Sequence, residues 1–253
     1  MRWAEAFRFP FDSPRWVQNL LILAAANFVP LVGPMFAVGY AARVMESLRA
    51  SAGSGRPSHD LDFDQAGDYL LRGLKVFAAT LALFLLVLPL YFVLFFGFFF
   101  LMPLLGGGVG SSDNAVAGGV AMALTCLGSA VGVLVMLAFV LTLMLLSVPM
   151  VLRASLHPHL GAAFSPSFAL DYVRRCWLPT LLAHLVLVVV GFPISLAGLL
   201  LFVVGVLVAS AYLQLVHAHL LAQLADLYEA RGGEPVAGPP SSPPAAPPLL
   251  PST

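Results

Sequence analysis

Three long stretches without a charged residue limit what this chain can fold into. They are residues 76–102, 115–152 and 176–225, which contain 27, 38 and 50 residues. An α-helix rises 1.5 Å per residue, and about 20 apolar residues cross the roughly 30 Å hydrocarbon layer of a bilayer. The first two stretches are each long enough for one membrane-spanning helix, and the third is long enough for two.

The composition of the whole chain agrees with a membrane protein. Of 253 residues, 60% are hydrophobic and only 9% are charged, and the mean hydropathy is +0.96. A soluble domain carries about 25% charged residues, so this chain would have too little polar surface to cover a soluble fold. The formal net charge is zero at pH 7. Since no excess of positive charge would attract a polyanion, nucleic acid is not expected as a partner.

The third stretch must fold back on itself, because a single helix of its length would be far longer than the bilayer is thick. Gly191-Phe192-Pro193-Ile194-Ser195 is the predicted turn. Proline has no backbone N–H and is favoured at the first position of a helix. The sequence therefore predicts two spans here, near residues 177–190 and 194–213.

A fourth uncharged stretch, residues 16–42, contains the segment NFVPLVGP at residues 27–34. This segment either kinks one spanning helix or turns the chain between two short arms. A turn places all 12 basic residues on one side of the membrane, whereas a kink splits them into 9 and 3. The positive-inside rule favours the turn and places both termini in the cytoplasm. Because the arms are short, it stays open whether the first hairpin, residues 14–50, crosses fully or is re-entrant.

The predicted fold class is therefore all-α, a polytopic transmembrane helix bundle of about six membrane helices arranged as three hairpins. Each hairpin is preceded by an amphipathic stretch, which we expect to form a short interfacial helix in the headgroup plane. The large apolar residues of these stretches are Trp3, Phe7 and Phe11 in the first, Phe63, Leu70, Leu74 and Phe77 in the second, and Phe164, Phe168 and Tyr172 in the third.

The second and third amphipathic stretches share the pattern D-Y-x-x-R, at residues 68–72 and 171–175. Its acid and its arginine are four positions apart, so their side chains meet on a helix. These stretches and the hairpins make up one transmembrane domain, residues 1–231. Residues 232–253 are rich in proline and are predicted to be a disordered cytoplasmic tail.

Several segments of the sequence resemble a family of bacterial and archaeal membrane proteins that is catalogued as domain of unknown function 4013. They are FPFDSPRW at residues 9–16, PLVG at 30–33, GYAARV at 39–44, DQAGDY at 64–69 and RGLK at 72–75. The resemblance covers roughly residues 3–230. It implies a polytopic membrane protein, and it transfers no catalytic residue because the family has no established activity.

No catalytic, cofactor-binding or metal-binding residue is predicted. His184 lies inside a predicted span, where a neutral histidine that faces a neighbouring helix is favoured over a proton relay. His217 and His219 point about 200° apart on a helix, so they cannot chelate one metal together. Asn27 and Gln214 are expected to make hydrogen bonds between helices or contacts at an interface. Gly128 and Gly132 are predicted to pack closely against another helix. Cys126 and Cys176 are not expected to form a disulfide.

Two classes of function remain. The first is a non-enzymatic membrane component or partner subunit, whose partners would be the lipid bilayer and either other membrane proteins or a second copy. The second is a small transporter or channel, for which polar groups near the bilayer midplane are expected but few are present. An enzyme is not predicted. Arginine outnumbers lysine eleven to one, which is typical of a GC-rich bacterial genome, and the location expected is the bacterial plasma (inner) membrane.

Overall fold

The computed structural model describes residues 1–51, 60–107 and 115–237, and these ranges are helical, as the sequence predicts. The α-helices are α1 (Trp3–Arg8), α2 (Trp16–Ala26), α3 (Val32–Ser51), α4 (Ala66–Gly107), α5 (Ala115–Leu156), α6 (Pro166–Leu200) and α7 (Phe202–Ala230). Short 3-10 helices lie at Phe9–Phe11, Phe63–Gln65 and Leu160–Phe164. The all-α fold class is therefore confirmed.

Four helices in the described part of the chain are long and apolar enough to cross a membrane. These candidate spans are Phe63–Gly97, Thr125–Leu156, Pro166–Leu200 and Phe202–Ala230. The predicted number of about six is not reached, because α2 has only 11 residues and is about 16 Å long. Helix α3 has 20 residues, but its second half carries Arg43, Glu46 and Arg49.

The segment NFVPLVGP breaks the chain into two helices instead of kinking one. Helix α2 ends at Ala26 and α3 begins at Val32. Leu31 lies between the two helices and has a φ of 66°. Backbone hydrogen bonds stabilise the turn, and in one of them the Gly33 N–H donates to the Val29 carbonyl at 2.9 Å. A Cβ on Gly33 would lie 1.8 Å from the carbonyl oxygen of Ala26. Only glycine allows so close an approach, which explains its place in this segment.

The turn predicted at residues 191–195 is wrong, because α6 continues through this segment to Leu200. The chain instead reverses at Leu201, and Phe202 has a φ of 57°. Proline is tolerated inside an apolar helix when its neighbours satisfy the freed backbone groups. The glycine that allows the reversal is Gly205, where a Cβ would lie 2.2 Å from the carbonyl oxygen of Gly198.

The prediction of three separate amphipathic helices is also wrong for the second and third stretches. The first forms α1, but the second is the start of α4 and the third is the start of α6. Nothing in these two sequences ends the helix. The i,i+4 ion pairs Asp68–Arg72, at 2.7 Å, and Asp171–Arg175, at 2.9 Å, support continuity instead.

Two of the three aromatic rings of the third stretch face the protein, whereas Phe164 is 43% exposed. Phe168 and Tyr172 are buried in the largest hydrophobic cluster, together with Tyr228 of α7. Ser165 caps the start of α6 by accepting a hydrogen bond from the Phe168 N–H. This cap fixes the first turn of α6 and directs Phe168 toward α7.

Helix α7 lies at the centre of the packing. In its most apolar window 44% of the residues are buried, against 6% in α4 and 6% in α5. Its neighbours are α1, α2, α3 and α6, with a smaller contact to α5. Helix α4 packs against both α3 and α5, and the outer parts of α4 and α5 expose large side chains such as Leu86 at 78% and Met122 at 71%.

Candidate functional site

The charged residues of the long helices gather at one end of the molecule, which we call the charged end. It comprises the C-terminal ends of α3, α5 and α7 and the N-terminal ends of α4 and α6. Arg49 of α3 binds Asp226 at 3.0 Å and Glu229 at 2.6 Å, both on α7. The Lys75 ammonium donates to the Pro158 carbonyl at 3.3 Å, which joins α4 to the segment after α5.

Helices α3 and α4 are joined at this end by a second ion-pair group. Arg72 binds Glu46 of α3 at 2.7 Å while it also holds Asp68 on its own helix. Arg43 binds the same Glu46 oxygen at 2.8 Å. One acid on α3 thus holds two arginines, and the register of α3 against α4 is fixed by charge at this point.

Helices α6 and α7 are joined through the third D-Y-x-x-R stretch. Asp171 accepts hydrogen bonds from the Arg175 guanidinium at 2.9 Å and from the Tyr228 hydroxyl at 2.8 Å. The hydroxyls of Tyr172 and Thr180 lie 3.1 Å apart. The tyrosines of both D-Y-x-x-R patterns are buried, Tyr69 against Tyr40 and Tyr172 against Tyr228. The pattern therefore places an ion pair outside and a tyrosine inside.

A short segment after α7, residues 232–237, closes the charged end, and we call it the C-terminal strap. Gly232 has a φ of 77°, and the Gly233 N–H donates to the Tyr228 carbonyl at 3.0 Å, which ends α7. Val236 is fully buried in the largest hydrophobic cluster. Its N–H donates to the Glu229 carboxylate at 2.8 Å.

The strap also supplies the acid that pairs with Arg153 of α5. The Arg153 side chain is only 7% exposed, and it binds Glu234 at 2.9 Å. Its guanidinium lies 3.7 Å from the centre of the Phe168 ring. The sequence assigned residues 232–237 to the tail, because glycine, proline and a single valine give no helical periodicity.

The second candidate site is a pair of histidines inside the candidate spans. His184 of α6 and His217 of α7 have ring centres 5.5 Å apart in an edge-to-face arrangement. The Nδ1 atom of His184 lies 2.9 Å from the Thr180 carbonyl, so this nitrogen carries a proton and donates. The Nε2 atom of His217 is buried without a hydrogen-bond partner in the described part of the chain.

Most of the chain matches one protein family. The family model, described as a protein of unknown function (DUF4013), matches residues 22–203. The chain belongs to the DUF4013 family. Comparison with curated proteins gave no match, and comparison with solved structures gave none. The matched region contains His184 and five ion-paired arginines of the charged end, Arg43, Arg49, Arg72, Arg153 and Arg175, whereas His217 and the C-terminal strap lie beyond it.

The other residues that the sequence singled out in this DUF4013 protein lie outside both candidate sites. The Asn27 side chain donates to the Leu23 carbonyl at 3.0 Å within its own helix end, so the contact between helices expected for Asn27 is not the bond it makes. Cys126 is exposed and Cys176 is buried, and both thiols are free, as the sequence predicts. Gly132 is buried and Gly128 is half-buried, and α5 packs against α4.

Sequence reasoning found His184 but not its neighbour. His217 was considered only together with His219, whose ring packs instead against Phe9 with 5.0 Å between centres. The signal that could have joined His184 to His217 was the position of the chain reversal. When the chain reverses at residue 201, two residues lie side by side if their numbers add up to about 400, as those of His184 and His217 do. The predicted reversal near residue 193 does not pair these two residues.

Proposed function

We propose that this DUF4013 protein is a non-enzymatic, multi-pass component of the bacterial plasma membrane, with both termini and the charged end in the cytoplasm. The observation that carries the proposal is the separation of charge and apolar surface. The ion pairs of α3 to α7 lie at the charged end, while α4 to α7 continue from it as long apolar helices. Such a molecule is stable only with its apolar part in lipid.

The exposed surfaces of α4 and α5 support a role as a component that contacts lipid or other membrane proteins. Leu86 is 78% exposed, Val93 70% and Met122 71%. In water such a surface would aggregate, and in a bilayer either acyl chains or a neighbouring helix cover it. The arginines of the charged end support the orientation, because basic residues are retained on the cytoplasmic side.

The orientation is tested by cysteine labelling in intact cells. We start from a protein in which Cys126 and Cys176 are alanine, and we place single cysteines by Ser58→Cys, Ser241→Cys and Leu31→Cys. Ser58→Cys and Ser241→Cys are expected to resist an impermeant thiol reagent until the cells are opened. Labelling of Ser58→Cys from outside would overturn the proposed orientation.

Leu31→Cys tests how far the first hairpin, residues 14–50, crosses the membrane. Leu31 is 67% exposed at the turn between α2 and α3. Helix α2 has 11 residues and is about 16 Å long, which is about half of the 30 Å hydrocarbon layer. We therefore propose that the turn ends inside the bilayer, and we expect Leu31→Cys to label slowly from both sides at normal expression. Rapid labelling from outside would show instead the near-complete crossing that the sequence favours, with the turn at the outer headgroups.

A small transporter is the second candidate, and the His184–His217 pair is the observation that favours it. A buried nitrogen without a partner costs about 1–3 kcal/mol, and ionisable residues inside membranes commonly mark ion or proton pathways. In proteoliposomes with an inward proton gradient, a transporter would carry a flux that His217→Leu abolishes and His219→Leu does not.

For a non-enzymatic component we expect no proton flux above that of empty vesicles, from the wild type or from either variant. We also expect His217→Leu to fold at least as stably as the wild type, because it removes a buried nitrogen that has no partner. Thermal unfolding of both variants in detergent measures this. A His217-dependent flux would replace our proposal by the transporter.

A further inference from the structure

A groove runs along the outer side of α2 and changes from polar to apolar along its length. Its first part has a volume of about 710 Å³ and is lined by Arg15 and Gln18 at one end and by Ile22, Ala25 and Phe63 at the other. A second part of about 360 Å³ shares Ile22, Ala25 and Phe63 and continues to Val29. We propose that this groove binds one phosphatidylethanolamine, with an acyl chain along α2 and the headgroup at Arg15.

The length of the groove matches one leaflet of a bilayer. Helix α2 has 11 residues and is about 16 Å long, which is about half of the 30 Å hydrocarbon layer. The side chains along it are apolar and exposed, with Val17 at 48%, Leu21 at 51% and Phe63 at 61%. An acyl chain that enters beside Arg15 would cover this wall over the full depth of its own leaflet.

A residue typical of a membrane interface lies next to the mouth of the groove, although it does not line the groove itself. Trp16 follows Arg15 directly, and its ring contacts Phe11 edge-to-face with 5.1 Å between centres. Tryptophan is enriched at the level of the headgroups, because its ring is apolar and its N–H is polar. The polar end of the groove therefore lies where a lipid headgroup would be.

The charges at the mouth are complementary to a lipid phosphate. Arg15 has no carboxylate partner among the residues that the structure describes, whereas Arg2 and Arg8 on the same N-terminal segment pair with Glu5 and Asp12. A guanidinium binds phosphate oxygens through two parallel N–H donors. A phosphate at Arg15 would thus supply the partner that the described protein residues do not.

Carboxylates beside the mouth of the groove select the group that is attached to the lipid phosphate. Asp60 accepts a hydrogen bond from the Ser13 hydroxyl, and the Leu61 N–H donates to Asn19 at 3.3 Å, so the acidic segment adjoins the start of α2. Asp60, Asp62 and Asp64 form no ion pair within the described residues. Ethanolamine supplies an ammonium with three N–H donors for these acids. Choline has no such donor, and an anionic glycerol headgroup would be repelled.

The acyl chain is tested with the full-length protein in phosphatidylcholine vesicles that contain a phosphatidylethanolamine with a photoactivatable acyl chain. Labelled peptides are then mapped by mass spectrometry. Ala25→Trp fills the groove, and we expect it to lower labelling of residues 16–36 at least fivefold, which corresponds to about 1 kcal/mol of binding free energy. Ala130→Trp, at an exposed alanine on α5, is the matched control and should leave this labelling unchanged. Equal labelling in the two variants would mean ordinary bilayer lipid and would overturn the proposal.

The headgroup is tested by competition with unlabelled lipids. Phosphatidylethanolamine is expected to compete about tenfold better than phosphatidylcholine or phosphatidylglycerol, since one charge-assisted hydrogen bond is worth about that factor. Arg15→Gln should weaken competition by all three lipids, because they share the phosphate. Asp64→Asn should reduce the preference for phosphatidylethanolamine, and Arg8→Gln should change neither. Stronger competition by phosphatidylglycerol, or by inorganic phosphate alone, would overturn the assignment of the headgroup.

Discussion

The variant Gly73→Ala is expected to lose about 3 kcal/mol or more of stability, because it separates α3 from α4. A Cβ on Gly73 would lie 1.7 Å from the carbonyl oxygen of Met35 and 2.6 Å from its carbonyl carbon. Both atoms belong to the backbone of α3, so no side-chain rotation relieves the overlap. Thermal unfolding of the purified protein in detergent, followed by circular dichroism, measures the loss.

Gly97→Ala is the matched control in the same helix. A Cβ on Gly97 has no atom within 4 Å, and alanine favours the helix over glycine by about 1 kcal/mol. We therefore expect this variant to be as stable as the wild type or slightly more stable. If Gly73→Ala were equally stable, α3 and α4 would not pack as closely as we describe.

The charged end is also expected to depend on the C-terminal strap. A chain that stops after Arg231 loses Val236 from the largest hydrophobic cluster and Glu234 from Arg153. We expect a loss of about 3 kcal/mol, because a cavity forms in the cluster and a buried guanidinium loses its carboxylate. The midpoint of unfolding in detergent should fall accordingly.

A chain that stops after Ala237 is the control for this truncation. It keeps the strap and removes only residues 238–253, which lie outside the described residues. We expect its stability to equal that of the full chain. Val236→Asp in the full chain should reproduce most of the loss, since it places a carboxylate in the apolar cluster. Equal stability of both truncated chains would show that the strap does not support the fold.

Part of the fold follows from short-range sequence patterns. The uncharged stretches predict long apolar helices because a helix satisfies its own backbone in lipid, whatever its neighbours are. The break at NFVPLVGP follows from two prolines and a glycine within five positions. The ion pairs Asp68–Arg72 and Asp171–Arg175 follow from a spacing of four on a helix. Each of these features depends on residues that are close in sequence.

The sites depend on contacts between distant parts of the chain, and the sequence did not locate them. Pro193 looks like a turn, but α6 continues through it, with Gly191 packed against Leu213. The chain reverses at residue 201, where Gly198 and Gly205 approach each other closely. That shift decides which residue of α7 faces His184. Val236 likewise became a core residue only because α5, α6 and α7 leave a space that it fills. The sequence by itself determined which segments are apolar helices and where their charges lie. Only the tertiary structure decided where α6 ends and which side chains meet, because those outcomes depend on the fit of surfaces that are far apart in the chain.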